Sequence, residues 1–204
     1  MAIHATIFGN QAGRVIMANQ EPDNSELKES SWVVAKVTSG KEDEIRETCV
    51  SMLSGDVLKD AFVPKHVRLK KYKGEWRRET RPLYSGYVFM ITDDPAALDK
   101  ALLKVPGYHK LLKAADIILT VSDEEKAFIN RIAGRDNVVE ISVGYKEGDT
   151  IKIVSGPMMG LEGDIIHVDR HKRLVTINVS LFGRSVKTTL GLELTYKQTP
   201  EEGA

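Results

Sequence analysis

The chain has 204 residues, enough for one large domain or two small ones, and 42% of them are apolar, which suffices for globular cores. Its 29 Lys and Arg residues balance 29 Asp and Glu residues, and a net charge of zero argues against a protein that coats nucleic acid by bulk charge. The single cysteine, Cys49, excludes an internal disulfide and a cysteine-rich zinc site.

Neither a membrane anchor nor a secretion signal is visible in the sequence. No apolar run approaches the roughly 20 residues that span a bilayer, and no basic-then-apolar pattern opens the chain. We therefore expect a cytoplasmic protein that does not bind a membrane.

The first elements follow a polar leader. Residues 1–31 lack a sustained period and predict a disordered leader. Residues 32–37 predict a strand. From Glu42 onward an amphipathic helix is expected, capped by Thr38 or Ser39. Its apolar face comprises Ile45, Cys49, Met52 and Leu53.

Residues 65–81 hold most of the uneven charge. They contain eight Lys or Arg residues against Glu75 and Glu79. Apolar and basic residues alternate on both sides of Lys73-Gly74, which predicts a hairpin with a basic outward face. That face is either a sheet edge protected by charge or a contact with an acidic partner.

The next segments complete an α+β pattern. Residues 87–91 are the densest strand signal, and Asp94-Pro95 predicts the start of a second helix with Leu98, Leu102 and Leu103 inside. Residues 122–125 form a capping box before a third helix. Strands at both ends, in the order strand–helix–strand–strand–helix–strand, predict an α+β sandwich of about 105 residues.

The C-terminal part changes to short strands. We expect a linker over residues 134–147 and then strands over 150–155, 164–169, 174–182, 186–190 and 192–196. Five strands without room for a helix predict a small β-barrel.

Between the second and third strands, residues 169–173 read Asp-Arg-His-Lys-Arg, and Asp169 can bond the backbone of this turn. The turn is either a solvated loop or an anion contact.

An enzyme is not expected. No Gly-rich phosphate loop follows a strand, and no Cys/His pair has the context of a nucleophile. His171 has no second ligand at metal-binding spacing. The sequence therefore predicts no catalytic residue, no metal and no cofactor.

Several segments resemble one family. Gly148-Asp149, residues 151–153, residues 155–157 and residues 160–163 resemble the KOW motif of the NusG/Spt5 transcription elongation factors, and residues 181–184 resemble that family's Phe-Gly-Arg run. Upstream, the segments that resemble the NusG N-terminal (NGN) domain are residues 32–34, 62–64, 82–89 and 105–107.

The resemblance covers about residues 32–197 and implies two domains in the family order. These are an NGN-like α/β sandwich with an antiparallel sheet (32–133) and a five-stranded KOW β-barrel (148–197), with a leader (1–31), a linker (134–147) and a tail (198–204). Residues 169–173 and residues 191–194 resemble segments of the specialised LoaP-type antiterminators. The leader lies outside the family pattern, and Ser85 stands where Pro is usual.

The resemblance also implies functional surfaces. The segments around Phe62 and Tyr84 are either core or an exposed patch that docks on the clamp of RNA polymerase. The polymerase candidates are Phe62, Pro64, Leu83, Tyr84 and Tyr87. Upstream DNA or polymerase acids would contact Lys70, Lys71, Lys73, Arg77 and Arg78. RNA would contact Arg170, His171, Lys172, Arg173, Arg184 and Lys187, since a structured hairpin offers closely spaced phosphates.

Two functions follow from the resemblance. The first is a monomeric antitermination or elongation factor that holds polymerase with its N-terminal domain and a leader RNA hairpin with its KOW domain. The alternative is a general NusG-like factor whose KOW domain binds Rho or the ribosome.

Overall fold

A computed structural model describes residues 30–195, so most of the predicted leader and all of the predicted tail lie outside the described residues. The helices are α1 (Glu42–Leu53), α2 (Pro95–Leu102) and α3 (Asp123–Ala133). The strands are β1 (Ser31–Val37), β2 (Asp60–Phe62), β3 (Lys65–Tyr72), β4 (Glu75–Pro82), β5 (Tyr87–Thr92), β6 (Tyr108–Leu111), β7 (Lys113–Ala114), β8 (Ile117–Ile118), β9 (Val138–Val139), β10 (Ser142–Glu147), β11 (Thr150–Ser155), β12 (Ile165–Asp169), β13 (Leu174–Leu181) and β14 (Arg184–Thr195).

The N-terminal sheet has the order β2-β5-β1-β6 and is buried on both faces. Successive side chains of a strand point to opposite faces. Val33 and Ala35 of β1 therefore join Val88 and Met90 of β5 in a core with α1 and α2. The alternate side chains, with Phe89 at their centre, join a second core that includes α3. The predicted α+β arrangement with an antiparallel sheet is confirmed here.

The first helix begins where the sequence predicts, but its cap differs. Lys41 occupies the N-cap position without a side-chain hydrogen bond, so the cap expected from Thr38 or Ser39 is wrong. The buried carboxylate of Glu42, the first residue of the helix, accepts a hydrogen bond from the Gly86 backbone N–H at 2.6 Å. Met52, expected on the buried face, is 51% exposed.

The other two helices have the predicted caps. The Asp94 carboxylate accepts hydrogen bonds from the N–H groups of Ala96 and Ala97 before α2. Ser122 and Glu125 form the predicted capping box at α3. Leu103 lies beyond the end of α2 and is 75% exposed, so its assignment to the helix core is wrong.

Residues 65–82 form the predicted hairpin. Strand β3 pairs antiparallel with β4 over eight residues, and β9 pairs parallel with β3 at Lys65 and His66. We call the pair β3–β4 the basic hairpin. Strand β10, the first strand of the C-terminal sheet, follows β9 after two residues. The pairing of β9 with β3 therefore attaches the start of the C-terminal part to the basic hairpin.

The C-terminal sheet has five strands in the order β11-β10-β14-β13-β12. Its first strand, β10, lies in the segment predicted as a linker, so only residues 140–141 connect β9 to this sheet. The predicted fourth and fifth strands are one strand, β14. Among the described residues no ladder joins the edge strands β11 and β12, so closure into a barrel stays a prediction.

Gly191 explains why β14 continues where a break was expected. A Cβ atom at this position would lie 2.6 Å from the backbone oxygen of Val67 and 2.9 Å from Ile141. Gly191 therefore allows β14 to approach the backbone of β3 closely, and it does not form a turn.

Replacing Gly191 tests this close approach. We expect Gly191→Ala to destabilise the protein by about 1–3 kcal/mol, because the added methyl group meets backbone that cannot move freely. Gly163→Ala is the matched control, since a Cβ atom there meets nothing within 4 Å. Urea unfolding measures both free energies, and equal midpoints for the two variants would contradict the assignment.

Candidate nucleic-acid interface and the covered apolar face

Residues 169–173, which we call the basic turn, connect β12 to β13 with a defined backbone. The Asp169 carboxylate accepts a hydrogen bond from the Lys172 N–H at 2.9 Å, as predicted. This hydrogen bond lowers the pKa of Asp169. Arg173 closes the turn with φ 55°, the left-handed conformation that non-glycine residues seldom adopt. The turn therefore presents its side chains from a fixed scaffold.

The four basic side chains of the turn differ in their partners. Within residues 30–195, Arg170 and His171 are exposed and their side chains form no ion pair. Lys172 lies 3.3 Å from the Asp169 carboxylate. Arg173 is held most firmly, since it donates to Glu193 at 2.9 Å and its guanidinium lies 4.4 Å from the centroid of the Trp76 ring. Arg170 and His171 are thus the groups most available to a ligand.

Two predicted RNA contacts lie away from this turn. In the β13–β14 pairing, Leu174 beside the turn lies opposite Gly191, whereas Arg184 lies opposite Leu181 at the other end of the hairpin. Seven residues of strand separate the two ends by about 23 Å. Lys187, opposite Asn178, lies about halfway along. The structure therefore does not bring Arg184 and Lys187 together with the basic turn.

Strand alternation divides the predicted cations of the basic hairpin between two faces. Lys71 lies directly opposite Trp76, so both side chains are on the face that meets Arg173. Arg78 shares this face and pairs with Glu140. Lys70 lies opposite Arg77 on the other face. The five predicted cations are all exposed, but they do not form one cluster.

Acidic residues compensate most of the charge on the Lys70 face. Glu79 accepts hydrogen bonds from Arg81 and Arg68, which lower the pKa of Glu79 to about 2. Lys70 lies 3.9 Å from the same carboxylate, and Arg77 pairs with Glu75. Among the described residues, Lys71 and Lys73 of the hairpin form no ion pair. The uncompensated charge of the hairpin therefore lies at Lys71 and at the tip.

Four of the five predicted polymerase-binding side chains, those of Phe62, Leu83, Tyr84 and Tyr87, belong to or pack against a core shared with the C-terminal sheet. Phe62, Pro64 and Tyr84 are buried, while Leu83 and Tyr87 are half-buried against the same core. This core continues without a break into the C-terminal sheet and contains Val175, Ile177, Leu181, Leu190 and Leu192. The Phe89 ring lies 5.9 Å from the Phe182 ring across the boundary. We call the N-terminal part of this surface the apolar face.

Two polar contacts hold the covering sheet in place. The Tyr84 hydroxyl lies 3.1 Å from the Thr188 hydroxyl, and burial raises the pKa of the Tyr84 phenol to about 12. Glu125 caps α3 with one carboxylate oxygen and accepts from the Gly183 N–H with the other at 3.3 Å. Of the two interpretations left open by the sequence, core and exposed patch, Tyr84 is core in this arrangement.

Sequence reasoning missed the residues that join the two parts of the chain. The predicted site residues did not include Trp76, Thr188, Phe182 or Glu193. Glu125 was predicted only as part of a helix cap. Their contacts join residues far apart in the chain, 104 positions for Tyr84 with Thr188. An alternating pattern shows that Trp76 lies on a strand face, but it does not show what that face meets.

The described residues contain neither a cluster of three or more His, Cys, Asp or Glu side chains suited to a metal ion nor a helix long and apolar enough to cross a membrane.

Comparison with known proteins matches this chain to a family. The family model described as transcription termination factor NusG matches residues 30–131, half of the chain, and the KOW motif matches residues 147–179. The transcription termination/antitermination protein NusG of Vibrio vulnificus is 24% identical over 81% of this chain and 94% of its own length.

A second relative and a solved structure agree with this assignment. The protein of the same name from Halalkalibacterium halodurans is 24% identical over 82% of this chain and 97% of its own length. A structure titled "Domain interaction in Thermotoga maritima NusG" has a TM-score of 0.51 at 23% identity, covers 79% of this chain and 93% of that one, and supports the fold. The chain belongs to the NusG family of transcription termination and antitermination factors, with an NGN domain followed by a KOW domain.

Proposed function

We propose that this protein is a specialised antitermination or elongation factor, of the LoaP type, that binds RNA polymerase through its NGN domain and a leader RNA hairpin through its KOW domain. Family membership supports the role in transcription. The observation that carries the RNA part is the basic turn, where exposed Arg170 and His171 project from a fixed backbone without ion-pair partners among the described residues.

The chemistry of the turn suits RNA. The Arg170 guanidinium can donate two parallel hydrogen bonds to a phosphate or to a base edge, and Lys172 adds a point charge. A hairpin loop offers unstacked bases and closely spaced phosphates to such a turn. We assign recognition to Arg170, His171, Lys172 and Arg173, and we leave Arg184 and Lys187 outside this site because they lie further along the β13–β14 hairpin.

Polymerase binding requires the two domains to separate. The apolar face has the aromatic composition of a protein-binding surface, but the KOW domain covers it. A clamp that binds Phe62, Tyr84 and Tyr87 must therefore replace the contacts with Phe182 and Thr188. In such an equilibrium, any change that weakens the docked arrangement strengthens apparent polymerase binding. We place the boundary between the separating domains at residues 140–141, between β9 and β10.

A second candidate is a general factor whose KOW domain binds a protein such as Rho or a ribosomal partner. Exposed apolar side chains on the KOW domain favour it. Val154, Met159 and Ile166 are each more than half exposed, with fractions of 51%, 54% and 51%. Such a surface suits a protein more than it suits RNA.

The hydroxyl pair at the domain boundary gives a test of polymerase binding. We expect Thr188→Val to strengthen polymerase binding by about two- to tenfold, because losing a buried hydrogen bond costs about 0.5–1.5 kcal/mol in the docked arrangement. Thr188 is outside the proposed polymerase contact, so the effect must arise from domain separation.

Thr189→Val is the matched control, since the Thr189 hydroxyl bonds Thr176 within the KOW sheet. It should leave the affinity for polymerase unchanged. A titration of labelled polymerase measures both variants. Unchanged or weaker binding by Thr188→Val would contradict the proposed role of the covered face.

Transcription across a terminator, with and without a candidate leader sequence, tests the RNA part. We expect read-through to rise only on the template that encodes the leader. Arg170→Ala should weaken the RNA contact about tenfold and lower this rise, since one good Arg contact contributes about 1–3 kcal/mol. Arg184→Ala, an exposed arginine at the far end of the sheet, should behave like the unmodified protein. Read-through that is equal with and without a leader would favour the general factor.

A further inference from the structure

We propose that the basic turn and the Trp76 face of the basic hairpin form one RNA-binding surface, which is complete only when the two domains are docked. The inference rests on the proposed RNA-binding function of the basic turn and extends that site into the NGN domain. The ligand is the sugar-phosphate backbone of an RNA stem, which the turn contacts on one side and Lys71 contacts on the other.

Backbone contacts keep the hairpin and the turn side by side. Strand β14 approaches β3 so closely at Gly191 that a side chain would not fit. Gly191 pairs with Leu174, the residue that follows the basic turn, and the backbone N–H of Leu192 donates to the Arg173 carbonyl at 2.9 Å. The turn is thus tied to the strand that packs on the hairpin.

Arg173 joins the two surfaces without losing all its donors. Its guanidinium lies 4.4 Å from the Trp76 ring centroid and uses Nη1 for Glu193. Within the described residues Glu193 is the one carboxylate paired with this guanidinium, which has further N–H groups to offer a phosphate. Trp76 therefore holds an arginine of the KOW domain in a fixed orientation, which reduces the conformational entropy lost on binding.

Two uncompensated cations lie on this shared surface. Arg170 belongs to the turn and Lys71 lies opposite Trp76, whereas the Lys73 ammonium lies 5.6 Å from the centroid of the Tyr72 ring, on the other hairpin face. Within the described chain neither Arg170 nor Lys71 forms an ion pair. The opposite hairpin face differs, because Glu79 and Glu75 partner its cations. We therefore expect Lys71 to contact RNA, and we expect its sequence neighbour Lys70 not to.

The shape of an RNA stem suits two adjacent basic turns. A-form RNA has a wide, shallow minor groove that displays phosphates and 2′-hydroxyls, and proteins bind it by shape across this groove. Because the basic hairpin is a two-stranded ribbon of the kind that a DNA major groove admits, the test includes a DNA hairpin of the same sequence.

The test compares Lys71→Glu with Lys70→Glu in the full chain. Fluorescence anisotropy measures binding to a labelled RNA hairpin with a stem of about one helical turn, over a series of salt concentrations. We expect Lys71→Glu to weaken binding at least about tenfold at about 0.1 M salt and to reduce the salt slope by about one, as loss of a phosphate contact does. Lys70→Glu should change the affinity less than about twofold.

Trp76→Ala provides a second, uncharged variant. It should also weaken RNA binding, because Arg173 loses its orientation, while Tyr72→Ala on the other hairpin face should not. Circular dichroism and the urea midpoint show whether each variant is folded. If Trp76→Ala unfolds the protein, the comparison of the two lysines still decides the inference.

Three outcomes would overturn the shared surface. Equal losses of RNA affinity in the two lysine variants would show that RNA responds only to the overall positive charge of the hairpin, not to the Trp76 face. A neutral Lys71→Glu, with Arg170→Ala still weakening binding, would confine RNA to the KOW domain and leave the proposed function standing. A DNA hairpin of the same sequence that binds as tightly as the RNA would overturn the assignment to RNA.

Discussion

The burial of the apolar face beneath the KOW domain is the interaction on which the arrangement of this protein depends. Phe89 contacts the NGN core through Phe62 and the KOW domain through Phe182, with centroid distances of 5.4 Å and 5.9 Å. Side chains of both domains therefore form one hydrophobic core, and burying this area is the main favourable contribution to docking. The pairs Tyr84–Thr188 and Glu125–Gly183 then fix its orientation.

Docking has opposite effects on the two proposed sites. It covers the apolar face, so polymerase that binds there, as we propose, must compete with the KOW domain. It also places Arg173 on Trp76 and completes the proposed RNA surface, so an RNA that contacts both domains stabilises docking. Because linkage is reciprocal, RNA that bridges the domains and polymerase weaken each other's binding. A complex holding both would retain only the KOW part of the RNA contact, namely the basic turn.

The parts of this arrangement that depend on local patterns were predictable, and those that depend on contacts between distant residues were not. A dense apolar run identified β5, alternation identified the basic hairpin, and Asp94 and Ser122 marked the starts of α2 and α3. The glycine at 191 was misread as a break because its reason, the backbone of β3, is over a hundred residues away. Burial of Tyr84 was missed for the same reason, since one aromatic residue suits both a core and a binding face.

The proximity of Phe89 and Phe182 in solution tests the central claim most directly. Selective labelling of phenylalanine rings in the free, full-length protein, followed by measurement of nuclear Overhauser effects, reports this contact without a mutation. The docked arrangement predicts a cross-peak between the two rings, because their centroids lie 5.9 Å apart. It also predicts a cross-peak between Phe89 and Phe62 as an internal standard. Detection of the Phe62 peak without the Phe182 peak would contradict the docked arrangement and the inferences drawn from it.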